Sequence, residues 1–123
     1  MNLRIGPGDA GFNEVLVDGE IHAADLPGSG ANPLVSVLPP GWERKCLVLD
    51  FAKVTFLGSA GISWLIGTNR ILREAGAKLV VHSIKPLVVQ QLSLTGTQRI
   101  VSMTADRAAA VQLLSTRTDG GAQ

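Results

Sequence analysis

The hydroxyl group of Ser59 is the side chain whose setting in the sequence best suits chemistry. Ser59 lies between two glycines in residues 56–62, FLGSAGI, where an apolar strand-like run changes to helical spacing. A serine at such a junction can cap the helix, because its oxygen accepts a hydrogen bond from a backbone N–H group of the first turn. The same N–H groups and the helix dipole would stabilise a phosphate on that serine, which adds about −1.5 to −2 charges. The residues by themselves favour the cap and leave the phosphate site open.

Ser59 lacks the neighbours that a catalytic nucleophile needs. The G-x-S-x-G turn of hydrolases has one residue more than Gly58–Gly61 provides. The chain has 2 histidines, His22 and His82, and neither is placed in the sequence as a base for Ser59. Gly28–Gly30 looks like a phosphate loop, but no Gly-Lys-Ser/Thr follows it. A small hydrolase or transferase is an alternative function, but no sequence motif supports it. No catalytic residue is predicted.

The sequence also predicts no metal site and no cofactor. Its 1 cysteine, Cys46, lies in an apolar run and is expected to be a buried thiol in a reducing compartment. Histidine or cysteine pairs at metal-ligand spacing are absent from the sequence. Asp50 follows a predicted buried strand, and we interpret it as capping the next turn rather than as an acid catalyst.

Composition narrows the class of protein further. The 123 residues suit one domain with its own core, and 46% of them are hydrophobic. A formal net charge of +1 argues against nucleic-acid binding, which needs a concentrated basic surface. Residues 1–8 hold no apolar signal segment, and no apolar run is long enough to span a bilayer. We expect a soluble cytoplasmic protein with no membrane insertion.

Strand and helix patterns alternate along the second half of the chain. Such alternation implies crossover units, so we predict a single α/β domain with a small, mixed but mostly parallel sheet and helices packed against it. The domain is expected to cover residues 1–115, with 116–123 as a flexible C-terminal tail. The predicted strands are 3–5, 12–21, 45–51 with 54–57, 79–81 and 99–102; the predicted helices are 32–38, one closed by Gly76, one from 86 to 96, and 105–114.

The helix after Ser59 has one apolar face, and Trp64 lies off it. The face is formed by residues at i, i+3, i+4, i+7 and i+10 spacing: Ile62, Leu65, Ile66, Asn69 and Leu72. Two interpretations of Trp64 remain open from the sequence. An exposed indole would be a good interface anchor, whereas an indole half buried under a loop would only contribute to packing.

The order of these segments resembles the STAS domain of bacterial anti-sigma factor antagonists. Gly58–Ile62 is similar to the signature Asp-Ser-Ser/Thr-Gly-Leu of that family, and the resemblance extends over about residues 13–114. The other similar segments are Asp18–Ala24, Leu47–Phe51, Val54–Phe56, Gly67, Leu79–Val81 and Pro86–Gly96.

The resemblance implies a non-enzymatic protein of transcription regulation and signal transduction. Such a protein binds a serine-kinase anti-sigma factor, a histidine-kinase-like ATPase, and thereby releases a sigma factor. Phosphorylation of the signature serine, here Ser59, blocks the binding, and a serine phosphatase restores it. The implied partner-binding residues are Gly58, Ala60, Gly61, Trp64 and His22.

Three positions depart from the family pattern. Gly58 replaces the signature Asp, Ala60 replaces the second hydroxyl residue, and His22 replaces the acid that usually follows Gly-Glu-Ile. Such changes fit an altered partner or a member that is no longer switched. The alternative function is therefore a STAS-type accessory subunit of a transporter or stress-signalling assembly without obligatory phosphorylation.

Overall fold

The computed structural model describes residues 1–9, 11–22, 26 and 32–120, the last six of them by backbone alone. Gly28–Gly30, compared above with a phosphate loop, lies outside the described residues. The strands are β1 (Asn2–Ile5), β2 (Phe12–Ile21), β3 (Cys46–Leu57), β4 (Leu79–His82) and β5 (Ser102–Thr104). The helices are α1 (Ser59–Glu74), α2 (Pro86–Leu94) and α3 (Arg107–Gly120).

The strands form one sheet in the order β1-β2-β3-β4-β5. β1 and β2 are antiparallel, and every later pair is parallel. Parallel neighbours need a crossover connection, which α1 supplies between β3 and β4 and α2 between β4 and β5. The predicted mixed, mostly parallel α/β sheet is confirmed.

Helices cover both faces of the sheet because successive side chains of a strand point to opposite sides. In β3, Leu47 and Leu49 belong to the cluster that contains the α1 and α2 side chains, while Val48 joins the cluster under α3. We call these sides the α1 face and the α3 face. The α1 face contains the larger cluster, which includes Leu65, Leu72, Val88 and Leu92.

Four local predictions need correction. The predicted helix 32–38 is a 3₁₀ turn, Pro33–Ser36, because the Pro39-Pro40 pair that follows disfavours continued helix. β3 runs without a break from Cys46 to Leu57. β5 begins at Ser102 rather than at residue 99, because Thr97–Arg99 form a 3₁₀ turn after Gly96. Cys46 is half buried rather than buried.

Helix α3 begins and ends later than the sequence predicted. Its first turn is capped by Asp106, whose Oδ1 accepts a hydrogen bond from the Ala109 N–H at 2.8 Å. Its last residue is Gly120, beyond the predicted end at residue 114. The flexibility proposed for residues 116–123 stays a prediction.

Candidate functional site

The segment that holds Ser59 connects the end of β3 to the start of α1. Gly58 has an extended backbone, φ −75° and ψ 176°, and is the N-cap of α1. Its carbonyl accepts the first helical hydrogen bond, from the Ile62 N–H at 3.0 Å. The prediction that Ser59 caps the helix is therefore wrong: Ser59 is the first residue of the helix. Among the described residues, no side chain caps this end.

Ser59 is exposed, and it lies among backbone N–H groups that have no hydrogen-bond acceptor within the helix. The N–H groups of Ser59, Ala60 and Gly61 precede the first helical hydrogen bond, donated by Ile62. The first turn carries no acidic residue among those described, so no carboxylate there opposes a second negative charge. The positive end of the helix dipole lies at the same place. The arrangement can accommodate an anionic group attached to Ser59.

Two glycines allow α1 to start close to the sheet. The Gly58 N–H donates to the Ile21 carbonyl at 3.1 Å, which ties the segment to the end of β2. A Cβ atom placed on Gly61 would lie 2.9 Å from Ile21 Cγ2 and closer still to Leu57 Cδ1. Gly61 is buried by this packing. Gly61 therefore lets the start of α1 pack closely on Ile21 and Leu57, whereas Ser59 is exposed.

His22 follows β2 directly and borders the Ser59 segment. Its ring stacks on Phe56, with 5.4 Å between ring centroids and 29° between ring planes. Its Nε2 lies 2.6 Å from Glu20 Oε1, and both side chains are more than half exposed. His22, which follows β2, and Phe56, near the end of β3, thus present an accessible surface close to the start of α1. We refer to Ser59, Ala60, His22 and Phe56 as the switch surface.

Comparison with known proteins agrees with this geometry. Residues 13–110 match the model of the STAS domain family. The chain belongs to the STAS domain family. A solved structure of an anti-sigma-factor antagonist (STAS) domain protein from Planctomyces limnophilus resembles it with a TM-score of 0.66 at 15% identity. The match covers 92% of this chain and 97% of that chain, and at this identity it shows a shared fold.

In this STAS domain Trp64 is not an exposed anchor. Its side chain is 7% exposed, and its Nε1–H donates to Asn32 Oδ1 at 2.9 Å. Asn32 in turn donates from Nδ2 to Thr68 Oγ1 at 2.9 Å. The exposed-anchor interpretation is wrong because the indole is buried and Asn32, from the connection between β2 and β3, supplies a partner for its N–H. No local pattern within α1 could have revealed that contact.

Sequence reasoning missed an ion pair between a buried glutamate and a partly exposed arginine on the α3 face of the STAS domain. Glu14 in β2 is 3% exposed, and Arg107 at the start of α3 reaches it with Nε at 2.9 Å from Oε2 and Nη2 at 3.0 Å from Oε1. Burial raises the pKa of Glu14, but the hydrogen bonds from Arg107 and the Gly8 N–H and the nearby positive charge outweigh it and hold the pKa below its usual value. The sequence signal for this pair was the acid Glu14, which lies between Phe12 and Val15 in a largely apolar predicted strand.

The remaining candidate side chains of the STAS domain make local contacts. Asp50 Oδ1 accepts a hydrogen bond from the Ala52 N–H at 2.9 Å, in agreement with a structural role. His82 is 1% exposed and its Nδ1 lies 2.8 Å from Ser83 Oγ, whereas Nε2 has no hydrogen-bond partner among the described residues. The described residues contain no group of three or more His, Cys, Asp or Glu side chains that could hold a metal ion. Among the helices of the described residues, none is long and apolar enough to cross a membrane.

Proposed function

We propose that this STAS domain is an anti-sigma factor antagonist whose binding is controlled by phosphorylation of Ser59. It binds a serine-kinase anti-sigma factor, a histidine-kinase-like ATPase, in the bacterial cytoplasm and so releases a sigma factor. A serine phosphatase returns the phosphorylated form to the binding state. The domain itself does no catalysis and needs no cofactor in this scheme.

The observation that carries the proposal is the exposed hydroxyl of Ser59 at the start of α1 in a chain of this family. A phosphate on Ser59 would lie beside the N–H groups of the first turn, which are arranged to donate to an anion. The fold would therefore tolerate the modification.

A docked partner would not tolerate the same phosphate. The switch surface combines Ser59 with the Phe56–His22 ring stack and the small side chain of Ala60. A protein packed closely on this surface would bury the added charge without a counter-ion, which costs several kcal/mol of binding free energy. Phosphorylation can thus abolish binding without unfolding the domain.

Gly58 supports a second candidate, the accessory subunit of a transporter or stress-signalling assembly. The family's acid beside the phosphoacceptor is absent here, and its loss removes a charge by which a kinase could recognise the segment. In that case the same surface would bind its partner without a phosphate switch.

The deciding experiment is capture of partners from the native cell on immobilised protein, followed by calorimetric titration of the recovered ATPase. We expect Ser59→Ala to bind like the wild type and Ser59→Asp to bind at least about tenfold more weakly, because the added charge is buried at the contact. Ser93→Asp is the matched control, since Ser93 is an exposed serine near the end of α2. It adds the same charge and should leave the affinity unchanged.

Phosphorylation is tested separately with the recovered ATPase and ATP. Mass spectrometry should find one phosphate on Ser59 in the wild type and none in Ser59→Ala. Gly58→Asp restores the family's acid, and a Cβ atom at Gly58 would lie 3.4 Å from both the Ile21 carbonyl oxygen and Phe56 Cε2. If Ser59→Asp binds the ATPase as tightly as the wild type, the proposal fails. Transporter subunits captured equally by all variants would support the accessory subunit instead.

A further inference from the structure

A groove lies at the other end of α1. Two adjoining hollows of about 530 and about 420 Å³ share Asn69, Arg73 and Ile100 and so form one groove. The last two turns of α1 form one wall, and the segment that leads into β5 forms the other. Each hollow falls within the size range of protein binding pockets. We call this feature the basic groove.

The groove concentrates positive charge that the composition of the whole chain hides. Arg70, Arg73, Lys78 and Arg99 line it, against the single carboxylate of Glu74. The chain has 11 lysines and arginines and 10 acidic residues. Outside the groove, this leaves seven basic and nine acidic residues. Within the part of the chain that the structure describes, none of the four basic side chains is held in an ion pair. Their charge is available to a ligand.

Apolar side chains lie among these charges. Ile100 is 45% exposed and Ile66 is half buried, and both line the first hollow with Arg70 and Arg73. The Asn69 side chain donates from Nδ2 to the Ile100 carbonyl at 3.2 Å, which fastens the two walls together. The preferred ligand therefore combines negative charge with apolar groups.

We propose that the basic groove binds an extended acidic segment of a protein partner, with carboxylates at the arginines and an apolar side chain between Ile66 and Ile100. Electrostatic complementarity of this kind steers encounter and selects the partner. The cations are spread along two hollows and come from three segments of the chain: Arg70 and Arg73 lie in α1, Lys78 precedes β4, and Arg99 lies in the 3₁₀ turn before β5. This spacing suits a chain of carboxylates better than a compact anion.

The basic groove is distant from the switch surface. Arg73 lies fourteen residues along α1 from Ser59, a distance of about 21 Å at 1.5 Å per residue. A partner segment can therefore be held here whatever the state of Ser59. This inference does not depend on the proposed phosphorylation.

The probe for the experiment is a fluorescein-labelled peptide of about twelve residues in which two glutamates alternate with one leucine. Anisotropy titrations at low salt should show binding that weakens as salt is added, because exposed charges are screened. Charge reversal in Arg73→Glu should weaken binding at least about tenfold, since Arg73 lines both hollows. Arg73 is exposed, so the fold should survive, and thermal melting checks this.

Matched variants separate a site from general attraction. Arg4→Glu makes the same charge change on β1, at the opposite edge of the sheet from β5, and should bind the peptide like the wild type. Ser59→Asp should also bind like the wild type, and Ile100→Ser should bind several-fold more weakly. Equal losses in Arg4→Glu and Arg73→Glu would overturn the proposal. It would also be overturned if inorganic pyrophosphate, but not the peptide, bound in an Arg73-dependent way.

Discussion

The two faces of the sheet are held by different means. On the α1 face, apolar side chains from β2, β3 and β4 pack against α1 and α2 in the larger buried cluster. On the α3 face the cluster is small, built on Phe12, Val48, Val80, Ala110 and Leu114. The α3 face adds the ion pair of Glu14 with Arg107 and the buried ring of His82.

This difference separates the proposed switch from the stability of the fold. The switch surface lies at the start of α1, the helix with the broader apolar support. We expect a charge added at the exposed Ser59 to change the surface without disturbing the buried apolar side chains of this face. On the α3 face, by contrast, the contact of α3 with the sheet includes the Glu14 carboxylate, whose pKa is lowered by Arg107, so we expect its contribution to depend on pH.

Truncation of Leu65 should give the largest effect on the α1 face. Leu65 is fully buried in the cluster, so Leu65→Ala should lower the free energy of unfolding by about 2–5 kcal/mol. Urea denaturation measures the change. Ser63→Ala alters an exposed position of the same helix and should change stability by no more than about 0.5 kcal/mol. Equal midpoints for Leu65→Ala and the wild type would show that this face does not dominate the stability.

Two glycines of α1 test how closely that helix approaches the sheet. Gly61→Ala should destabilise by about 1–3 kcal/mol, because the new methyl group would overlap side chains of Ile21 and Leu57. Gly67→Ala, in the same helix with nothing within 4 Å of the added Cβ, should stabilise by about 0.5–1 kcal/mol. Thermal melts of both variants provide the comparison. If the two substitutions shift the midpoint in the same direction, the close contact at Gly61 is not present in solution.

Acid should act on the α3 face, with a smaller effect than either substitution above. Because the pKa of Glu14 is lowered in the folded state, its stabilising contribution is present above its unfolded pKa of about 4.3 and is lost as the pH falls through the folded value. Glu14→Gln keeps the side-chain size and removes the titration. The gap in urea midpoint between wild type and Glu14→Gln should therefore be constant near neutral pH and shrink below about pH 4.3.

Arg107 stays charged throughout the range. A gap that is the same at acid and neutral pH would mean that the ion pair with Arg107 does not stabilise the folded state.

Strands and helices with a strong apolar periodicity could be predicted from the sequence. Elements whose bounds depend on the structure of adjoining segments could not. β2 was predicted with its observed bounds, Phe12–Ile21, and the helix after Ser59 with its buried Leu65 and Leu72. The position of β5 was missed because the 3₁₀ turn at Thr97–Arg99 displaces it by three residues. Nothing in such a short segment distinguishes the two placements.

The candidate site divides in the same way. The glycine-flanked serine between a strand and a helix was evident from the sequence, because the change in apolar period marks that junction. The identity of the capping residue was not, since either Gly58 or Ser59 could end the extended backbone; the hydrogen bond from Gly58 to the Ile21 carbonyl selects Gly58. The burial of Trp64 likewise depended on Asn32, thirty-two residues earlier in the chain.

The sequence by itself determined the class of fold and the place of the exposed serine, because periodicity and glycine placement act over a few residues. Only the tertiary structure decided which side chains near that serine are accessible, where Glu14 finds its counter-ion, and that four separate basic residues line one groove. These features join residues distant in the chain, and their energies come from burial and from charges brought together by folding. Local sequence patterns therefore predict neither the burial of these residues nor the charges that folding brings together.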